Sequence, residues 1–368
     1  MELIFRQLYD NVSSTYTYVL ADRGSREAVI IDPVFELHHR DLALIRELGL
    51  KLRYTLDTHC HADHVTGSWL MKMATGCQIV LSKKYGASGV DIAVDEGDDI
   101  TFGAMRLKVW ATPGHTGGCL TYVIGDDRMA FTGDCLMIRG AGRTDFQQGS
   151  AKKMYGSIHD KLFTLPEECF VYPAHDYDGR SVSTIQEEKK FNTRIGGDAD
   201  EKDFVGYMKN LGLPHPKKIS IALPANMRSG MPEDGIYPEA AAWGPIEETY
   251  DGILQISADW VESHLDSLTV LDVREADERE TDAKSLRGAI HIPLDDLVSR
   301  LNQIPKLKPV VTVCRSGKRS AQATVILKKN GFNEVANLKG GMIEWARADR
   351  APAQQTNRGP EPDSKSKR

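Results

Sequence analysis

Histidine and aspartate side chains, which can bind a metal ion, are concentrated at four places along the chain. The densest is the segment from His59 to His64, in which three histidines and one aspartate fall within six residues. The others are the ends of later predicted strands, at His115, Asp134 and His175. A lone residue of this kind usually caps a turn, but strands ending at one sheet edge would bring all of them together. Since imidazole and carboxylate ligands together suit Zn, Fe or Mn, the spacing predicts a metal centre.

A second kind of chemistry is indicated around one cysteine. A predicted apolar strand over 309–313 leads into a loop of six residues, after which a helix is predicted: Cys314, Arg315, Ser316, Gly317, Lys318, Arg319. A thiol at the start of a helix faces backbone N–H groups and the positive end of the helix dipole, and both lower its pKa. The cationic side chains of the loop act in the same direction. The loop therefore predicts a nucleophile in an anion-binding cradle, whereas the other five cysteines are predicted to be inert.

The elements that must position these residues change character along the chain. Residues 1–35 are predicted to form an edge hairpin, and the short strands that follow are mixed with helices. From Ile256 onward, strands and helices alternate as they do around a small parallel sheet. We therefore predict an α/β protein with the following parts: a first domain at 1–235, a linker at 236–254, a second domain at 255–350 and a disordered tail at 351–368.

Composition sets the class of protein. At 368 residues the chain can bury two cores, and its net charge of −6 argues against a nucleic-acid partner, which needs a basic patch. The six cysteines lack any paired spacing and are predicted to be free thiols in a reducing compartment. Neither a secretory leader nor a stretch of membrane-spanning length is visible, so we expect a cytoplasmic protein without a membrane partner.

The metal-ligand pattern resembles that of the metallo-β-lactamase superfamily, over about residues 1–230. The resemblance implies an αββα sandwich with the site at one edge. Within the superfamily the sequence is similar to glyoxalase II, which uses the whole ligand set to hold two metals and hydrolyse a glutathione thioester. It is also similar to the persulfide dioxygenases, which retain the set but bind one iron.

The segment from Arg139 to Gln148 resembles the persulfide dioxygenases rather than the hydrolases. That resemblance implies one Fe(II) per chain, held by His59, His115 and Asp134, with O2 and glutathione persulfide as substrates and sulfite and glutathione as products. Four further residues would then orient these ligands or, alternatively, hold a second metal: His61, Asp63, His64, His175.

Glutathione is an anion, so its pocket should offer cations and hydrogen-bond donors. Arg139, Arg143 and Lys218 are the cationic candidates, and Tyr177 is the candidate donor. Each cation could instead sit at the solvated surface or in an internal ion pair. For Arg143, the internal ion pair with Asp145 is the favoured interpretation.

Residues 253–350 resemble the rhodanese family, through the Cys314 loop and motifs at Leu271–Arg274, Gly288–Pro293 and Leu338–Trp345. The resemblance implies that Cys314 carries sulfane sulfur as a persulfide between thiosulfate and glutathione. The related dual-specificity phosphatases have a loop one residue longer, which favours sulfur transfer here. The whole chain resembles the persulfide dioxygenase–rhodanese fusions of bacteria, with small molecules as partners and a homodimer as a candidate assembly.

Two other functions are also compatible with the sequence. One is a dinuclear zinc thioester hydrolase of the glyoxalase II type that carries a rhodanese module. The other is a sulfide sensor or persulfide carrier without turnover. Metal content and O2 consumption separate the first from a dioxygenase, and a stable Cys314 persulfide would indicate the second.

Overall fold

The chain divides into two units, Met1–Glu239 and Ala240–Arg368, in a computed structural model. The structure describes residues 2–237, 242–281 and 286–347, without the side chains of 280 and 281. The tail predicted at 351–368 lies outside the described residues. In the described part, every helix is too short or too polar to cross a bilayer.

The first unit contains two six-stranded sheets. The first sheet has, in spatial order, β1 (Leu3–Asp10), β2 (Thr15–Asp22), β3 (Glu27–Ile31), β4 (Lys51–Leu56), β5 (Gln78–Ser82) and β6 (Ile92–Val94). The second has β7 (Asp99–Phe102), β8 (Met105–Ala111), β9 (Leu120–Ile124), β10 (Met129–Gly133), β11 (Phe170–Pro173) and β12 (Ser183–Thr184). The helices are α1 (His38–Glu47), α2 (Ser68–Thr75), α3 (Ala151–Gly156), α4 (Ile185–Phe191), α5 (Glu201–Lys209) and α6 (Ile219–Asn226).

The burial pattern of the strands explains how these elements stack. In β2, Tyr18 and Leu20 pack in the core shared by both sheets, whereas Val19 and Ala21, which point to the other face, pack with residues of α1 and α2. The outer face of the second sheet packs on helices in the same way, through Val171 and its neighbours. The result is a helix–sheet–sheet–helix stack, which confirms the predicted αββα sandwich.

The two sheets direct several strand ends to one edge. β3, β4 and β5 are mutually parallel, so the segments that follow β3 and β4 leave the first sheet on the same side. β10 and β11 are parallel in the second sheet, and each is followed within two residues by a predicted site residue, Asp134 and His175. Because parallel strands end at the same edge of a sheet, these residues come together although they are far apart in sequence.

Residues 1–35 differ from the predicted edge hairpin, because they form three antiparallel strands rather than two. The turn that the sequence did not reveal lies between β1 and β2. It contains no glycine, and Ser14 adopts the left-handed conformation (φ 61°) in its place. This turn brings the start of β2 to the metal-ligand edge.

The second unit contains one six-stranded sheet that is parallel except for one edge pair. In spatial order its strands are β13 (Glu247–Glu248), β14 (Leu254–Ile256), β18 (Val335–Leu338), β17 (Val310–Val313), β15 (Thr269–Asp272) and β16 (Ile290–His291). Its helices are α7 (Ala258–His264), α8 (Ala276–Thr281), α9 (Lys318–Lys329) and α10 (Gly341–Arg347). This confirms the small α/β domain expected from the alternating pattern.

Part of the segment predicted as a linker contributes to this unit. Trp243 and Ile246 pack against the apolar cluster around Val261, and Glu247 pairs with Gln255 as part of an edge strand. These apolar side chains were hidden among glycines and prolines that indicate a loop. The domain boundaries at 235 and 255 stay predictions.

Candidate metal centre and cysteine loop

Two histidines and one carboxylate form the first cluster of possible metal ligands. The ligand atoms of His59, His115 and Asp134 all lie within 4.8 Å of one another, and all three residues are buried. Oδ2 of Asp134 lies 3.9 Å from His59 Nε2 and 3.6 Å from His115 Nε2. A single ion could therefore contact all three residues.

The hydrogen bonds behind the two imidazoles fix which nitrogen faces this point. His115 Nδ1 donates to the Arg143 carbonyl at 2.7 Å. His59 Nδ1 lies 3.0 Å from Thr58 Oγ1, which gives its own proton to Asp32 at 2.8 Å and must therefore accept from the ring. Both rings consequently keep the Nε2 lone pair for the side facing Asp134, as metal-binding histidines require, so the residues present fit a metal ion.

His175 is the centre of the second cluster, which also contains His61, Asp63 and His64 within the same 4.8 Å limit. Its Nδ1 lies 2.7 Å from Asp134 Oδ1 and its Nε2 lies 3.1 Å from Asp63 Oδ2. Burial alone would lower the pKa of His175, but the two carboxylates hold that pKa well above its usual value. Both ring nitrogens therefore act as donors to carboxylates in this arrangement.

Two buried aspartates outside the predicted site residues, Asp32 and Asp57, complete this edge. Asp32 follows β3 in a left-handed conformation (φ 52°), and its Oδ1 lies 3.1 Å from His61 Nε2. Asp57 accepts hydrogen bonds from Thr66 and from the neighbouring Ser68. Burial and the charge of Asp32 raise the pKa of Asp57 to about 7. The signal was their position at strand ends, the same signal that identified Asp134.

Asn226 is a further residue that holds the ligand loop in shape. Its amide nitrogen donates to the carbonyls of His61 and His64, both at 2.9 Å, and its amide oxygen accepts from the Thr66 backbone at 2.8 Å. The sequence showed its segment only as part of a family resemblance. Its contacts join residues more than 150 positions apart, which no local pattern reveals.

The segment from Arg139 to Gly149 lies directly against the ligands. A Cβ atom on Gly142 would come within 2.5 Å of the Asp134 carbonyl and 3.0 Å of His115 Nδ1, so no larger residue fits without displacement. Gln147 donates to the Cys60 carbonyl at 2.8 Å. The resemblance to dioxygenases over this segment therefore concerns residues that touch the metal-ligand loop.

Arg139 and Arg143, two candidate glutathione contacts, are engaged by acidic side chains. Arg139 pairs with Glu188, which is buried, and its Nη2 donates to Glu187 at 2.9 Å. Arg143 makes two bonds of 2.6 Å to the carboxylate of Asp145, the pairing favoured from the sequence. Their roles as substrate contacts stay predictions. Each arginine would have to bind substrate through guanidinium N–H groups that are not already bonded to its acidic partner.

The other two candidates differ in exposure. Tyr177 is 70% exposed, and its ring stacks parallel to that of His175 at a centroid distance of 6.1 Å. Lys218 is partly exposed, and its Nζ lies 3.2 Å from Glu36. Tyr177 is thus the candidate that joins a solvent-facing surface to the ligand clusters, and its role also stays a prediction.

In the second unit, Cys314 lies between β17 and α9 and is only 1% exposed. The Ser320 hydroxyl lies 3.3 Å from its sulfur. Burial alone would raise the pKa of Cys314, but hydrogen bonds from Ser320 and from the backbone of Ser316 and Gly317 hold that pKa below its usual value. The predicted anion cradle around this thiol is therefore built of N–H and O–H donors.

The cations of the loop do not act as one group. Arg319 donates through both terminal nitrogens to Glu278, each at 2.6 Å, and this pair lowers the pKa of Glu278 to about 2. Arg315 and Lys318 are exposed. These two side chains are therefore better placed than Arg319 to meet an anion from solvent.

Two glycines shape the loop. Gly317 starts α9 with φ 89°, and Gly341 (φ 58°) lies so close that a Cβ on it would be 2.3 Å from the Cys314 carbonyl. The backbone N–H of Met342 donates to that carbonyl at 2.9 Å. The Gly340–Gly341 pair thus supports the cysteine loop from behind.

A four-layered sandwich with imidazoles and carboxylates at one edge, and a parallel sheet with a cysteine loop, define a metallo-β-lactamase fold joined to a rhodanese fold. Residues 10–175 match the metallo-beta-lactamase superfamily, and residues 257–348 match the rhodanese-like domain. The persulfide dioxygenase ETHE1 of Mus musculus is 55% identical over 230 residues, which are 62% of this chain and 89% of that protein. The chain belongs to the ETHE1 family of the metallo-β-lactamase superfamily and carries, in addition, a rhodanese-like domain.

Two further comparisons bear on the choice of chemistry. The crystal structure of ETHE1 from Myxococcus xanthus is 46% identical with a TM-score of 0.59, and it covers 62% of this chain and 99% of that one. A hydroxyacylglutathione hydrolase from Methylococcus capsulatus is 33% identical over 180 residues, 48% of this chain and 68% of that protein. The similarity to the ETHE1 proteins is thus greater in both identity and extent.

Proposed function

We propose that the first unit is a mononuclear Fe(II) enzyme that oxidises glutathione persulfide with O2 and water to glutathione, sulfite and protons. The observation that carries this proposal is the first cluster itself, in which the ligand atoms of His59, His115 and Asp134 lie within 4.8 Å of one another. Both ring nitrogens of His175, a member of the second cluster, lie at hydrogen-bond distance from carboxylates, at 2.7 and 3.1 Å, which favours the first cluster as the iron site. Two histidines and one carboxylate are the ligand set of non-haem Fe(II) oxygenases.

The residues of this chain would hold and orient rather than react. His59, His115 and Asp134 would bind the iron, which when bound supplies open positions for O2 and for a substrate sulfur side by side. The Arg143 carbonyl and Thr58 keep the two imidazoles in the metal-binding tautomer. Tyr177, Arg143, Arg139 and Lys218 stay the proposed contacts for glutathione.

For the second unit we propose sulfur transfer between thiosulfate and glutathione through a persulfide on Cys314. The Cys314 thiolate attacks the outer sulfur of thiosulfate and breaks its S–S bond, so that sulfite leaves and a persulfide forms on Cys314. A glutathione thiolate then takes the outer sulfur of that persulfide, which gives glutathione persulfide and restores the Cys314 thiolate. A thiol with a lowered pKa inside a ring of donors suits the first step. The two units share glutathione persulfide, which one would form and the other consume.

The test of the dioxygenase proposal is metal analysis joined to two assays on the full chain. We expect one iron per chain in protein from iron-supplemented cells, O2 uptake with glutathione persulfide, and no hydrolysis of lactoylglutathione. Two zinc ions with lactoylglutathione hydrolysis would instead support the hydrolase alternative. That alternative is favoured by the second cluster, which offers four further possible metal ligands. A stable Cys314 persulfide without any turnover would support a carrier.

Location and assembly belong to the same proposal. All six cysteines are free and buried, in keeping with a reducing compartment, and we propose the cytoplasm. A homodimer stays the candidate assembly.

A further inference from the structure

The segment 139–143, between β10 and α3, runs alongside two of the three proposed metal ligands. The backbone N–H of Gly142 donates to the Asp134 carbonyl at 2.8 Å. The Arg143 carbonyl lies 2.7 Å from Nδ1 of His115. The placement of this backbone therefore affects the positions of both ligands.

The other end of the segment is tied to α4 and to the residue that follows this helix. The backbone N–H of Arg139 donates to Glu188 Oε2 at 2.9 Å. The side-chain amide nitrogen of Asn192 donates to the Gly140 carbonyl at 3.0 Å. Arg139 adopts the left-handed conformation (φ 57°), which a residue with a side chain keeps only where its surroundings impose it. Contacts from α4 thus fix the start of the segment, and the end of the segment contacts the ligands.

Glu188 is the centre of these contacts, and its side chain is fully buried. Its Oε2 accepts from Asn192 Nδ2 at 2.8 Å as well as from the Arg139 backbone. Its Oε1 accepts from the Ser183 hydroxyl at 2.5 Å and from the Arg139 guanidinium. A buried carboxylate with this set of donors is held rigidly, because each bond that is lost leaves a costly unpartnered group. One side chain therefore orients both residues that tether the segment, Arg139 and Asn192.

We propose that Glu188 is a positioning residue of the metal centre, which acts through the segment 139–143 on His115 and Asp134. Its carboxylate holds the segment where the backbone meets these two ligands. Loss of a group that orients metal ligands typically weakens metal binding by about 10–100-fold. The inference rests on the proposed function only in taking His115 and Asp134 as metal ligands.

The test measures how fast iron is released rather than turnover. Full-length protein is loaded with Fe(II) in the absence of O2 and mixed with an excess of ferrozine, a chelator that becomes coloured when it captures the released iron. Glu188→Gln places an amide group among the donors, and we expect its iron release to be at least about tenfold faster than that of the parent.

The matched control is Glu187→Gln. Glu187 also accepts from Arg139, with its Oε2 at 2.9 Å from Nη2, but its side chain is 45% exposed. Because an exposed ion pair contributes little, iron release in this variant should stay within about twofold of the parent rate. Equal acceleration in the two variants would overturn the role of Glu188.

Circular dichroism and the melting temperature of the metal-free proteins separate positioning from stability. Iron release at the parent rate in folded Glu188→Gln, even with a lower melting temperature, overturns the proposal and leaves the proposed function intact. If Glu188→Gln does not fold, Asn192→Ala decides, since it removes the tether to Gly140 and keeps the carboxylate. Glu188 still holds Arg139 in that variant, so we expect a smaller, about threefold, acceleration, and the parent rate would overturn the proposal.

A parent protein that binds zinc instead of iron contradicts the proposed function. The same variants are then compared after loading with zinc, with a coloured zinc chelator in place of ferrozine. Faster zinc release in Glu188→Gln alone would support the positioning role, and equal release in all variants would overturn it.

Discussion

The metal centre and the cysteine loop both hold reactive groups rigidly, but they are built in opposite ways. The metal centre gathers side chains from Thr15 to Asn226, each oriented by a side chain or carbonyl from another segment. The Cys314 loop is continuous in sequence, and backbone N–H groups supply much of its field. The geometry of the metal centre therefore depends on side-chain identity at many scattered positions. The geometry of the Cys314 loop depends on the backbone conformation of a few consecutive residues.

The sharpest way to separate the two sites is to remove one central group from each. In Cys314→Ser we expect transfer from thiosulfate to glutathione to fall by about a thousandfold or more, because the nucleophile is lost, while O2 uptake with added glutathione persulfide is unchanged. In His115→Ala we expect loss of iron and of O2 uptake with transfer retained. Each variant is the control for the other. Residual transfer at the parent rate in Cys314→Ser would show that another group carries the sulfur.

Backbone shape can be tested at Gly341. In Gly341→Ala the new methyl group would meet the Cys314 carbonyl at 2.3 Å, in a left-handed conformation that alanine disfavours. We expect the unfolding free energy of the second unit, measured by urea denaturation, to fall by about 2–4 kcal/mol. Transfer activity should be lost as well. Gly331 also has a positive φ, 80°, but a Cβ there would meet only Lys306 Nζ, at 4.0 Å, so Gly331→Ala should cost only about 1 kcal/mol. Equal losses in the two variants would argue that conformation alone, and not the close approach, matters.

The smallest expected effect concerns Ser320, whose hydroxyl lies 3.3 Å from the Cys314 sulfur and also 2.6 Å from Asn337 Oδ1. Ser320→Ala removes that donor, so the pKa of Cys314 should rise toward its ordinary value while the backbone donors remain. The measurement is the rate of alkylation by iodoacetamide against pH, whose midpoint should move to higher pH. Thr324→Ala, one turn further along α9, removes a buried hydroxyl that does not touch the sulfur and should leave the midpoint in place. A midpoint unmoved in Ser320→Ala would assign the whole effect to the backbone.

The sequence allowed different degrees of prediction at the two sites. The folds and the metal-ligand pattern could be predicted because strand periodicity and ligand spacing are local. The acidity of Cys314 also follows from a strand, a loop and a helix that are adjacent in sequence. Thr15 could not be found in this way, because it lies in no recognisable motif and contacts a residue far along the chain.

Glu188 illustrates the same limit for the cations. A basic residue near a predicted site suggests an anionic substrate, and Arg139 was selected for that reason. Its partners lie on a helix nearly 50 positions away, and Glu188 accepts its backbone N–H as well as its guanidinium. Only tertiary structure reveals that this arginine holds the segment beside the ligands in place.

The pairing of the basic residues around the metal centre also bears on how a substrate arrives. Arg139, Arg143 and Lys218 each lie against a carboxylate, so their charges are largely cancelled at long range. Long-range attraction accelerates the encounter with an anion only where one sign of charge is uncompensated. If this face binds glutathione persulfide as proposed, we expect its capture to depend little on ionic strength, with discrimination among thiols resting on shape and short-range hydrogen bonds.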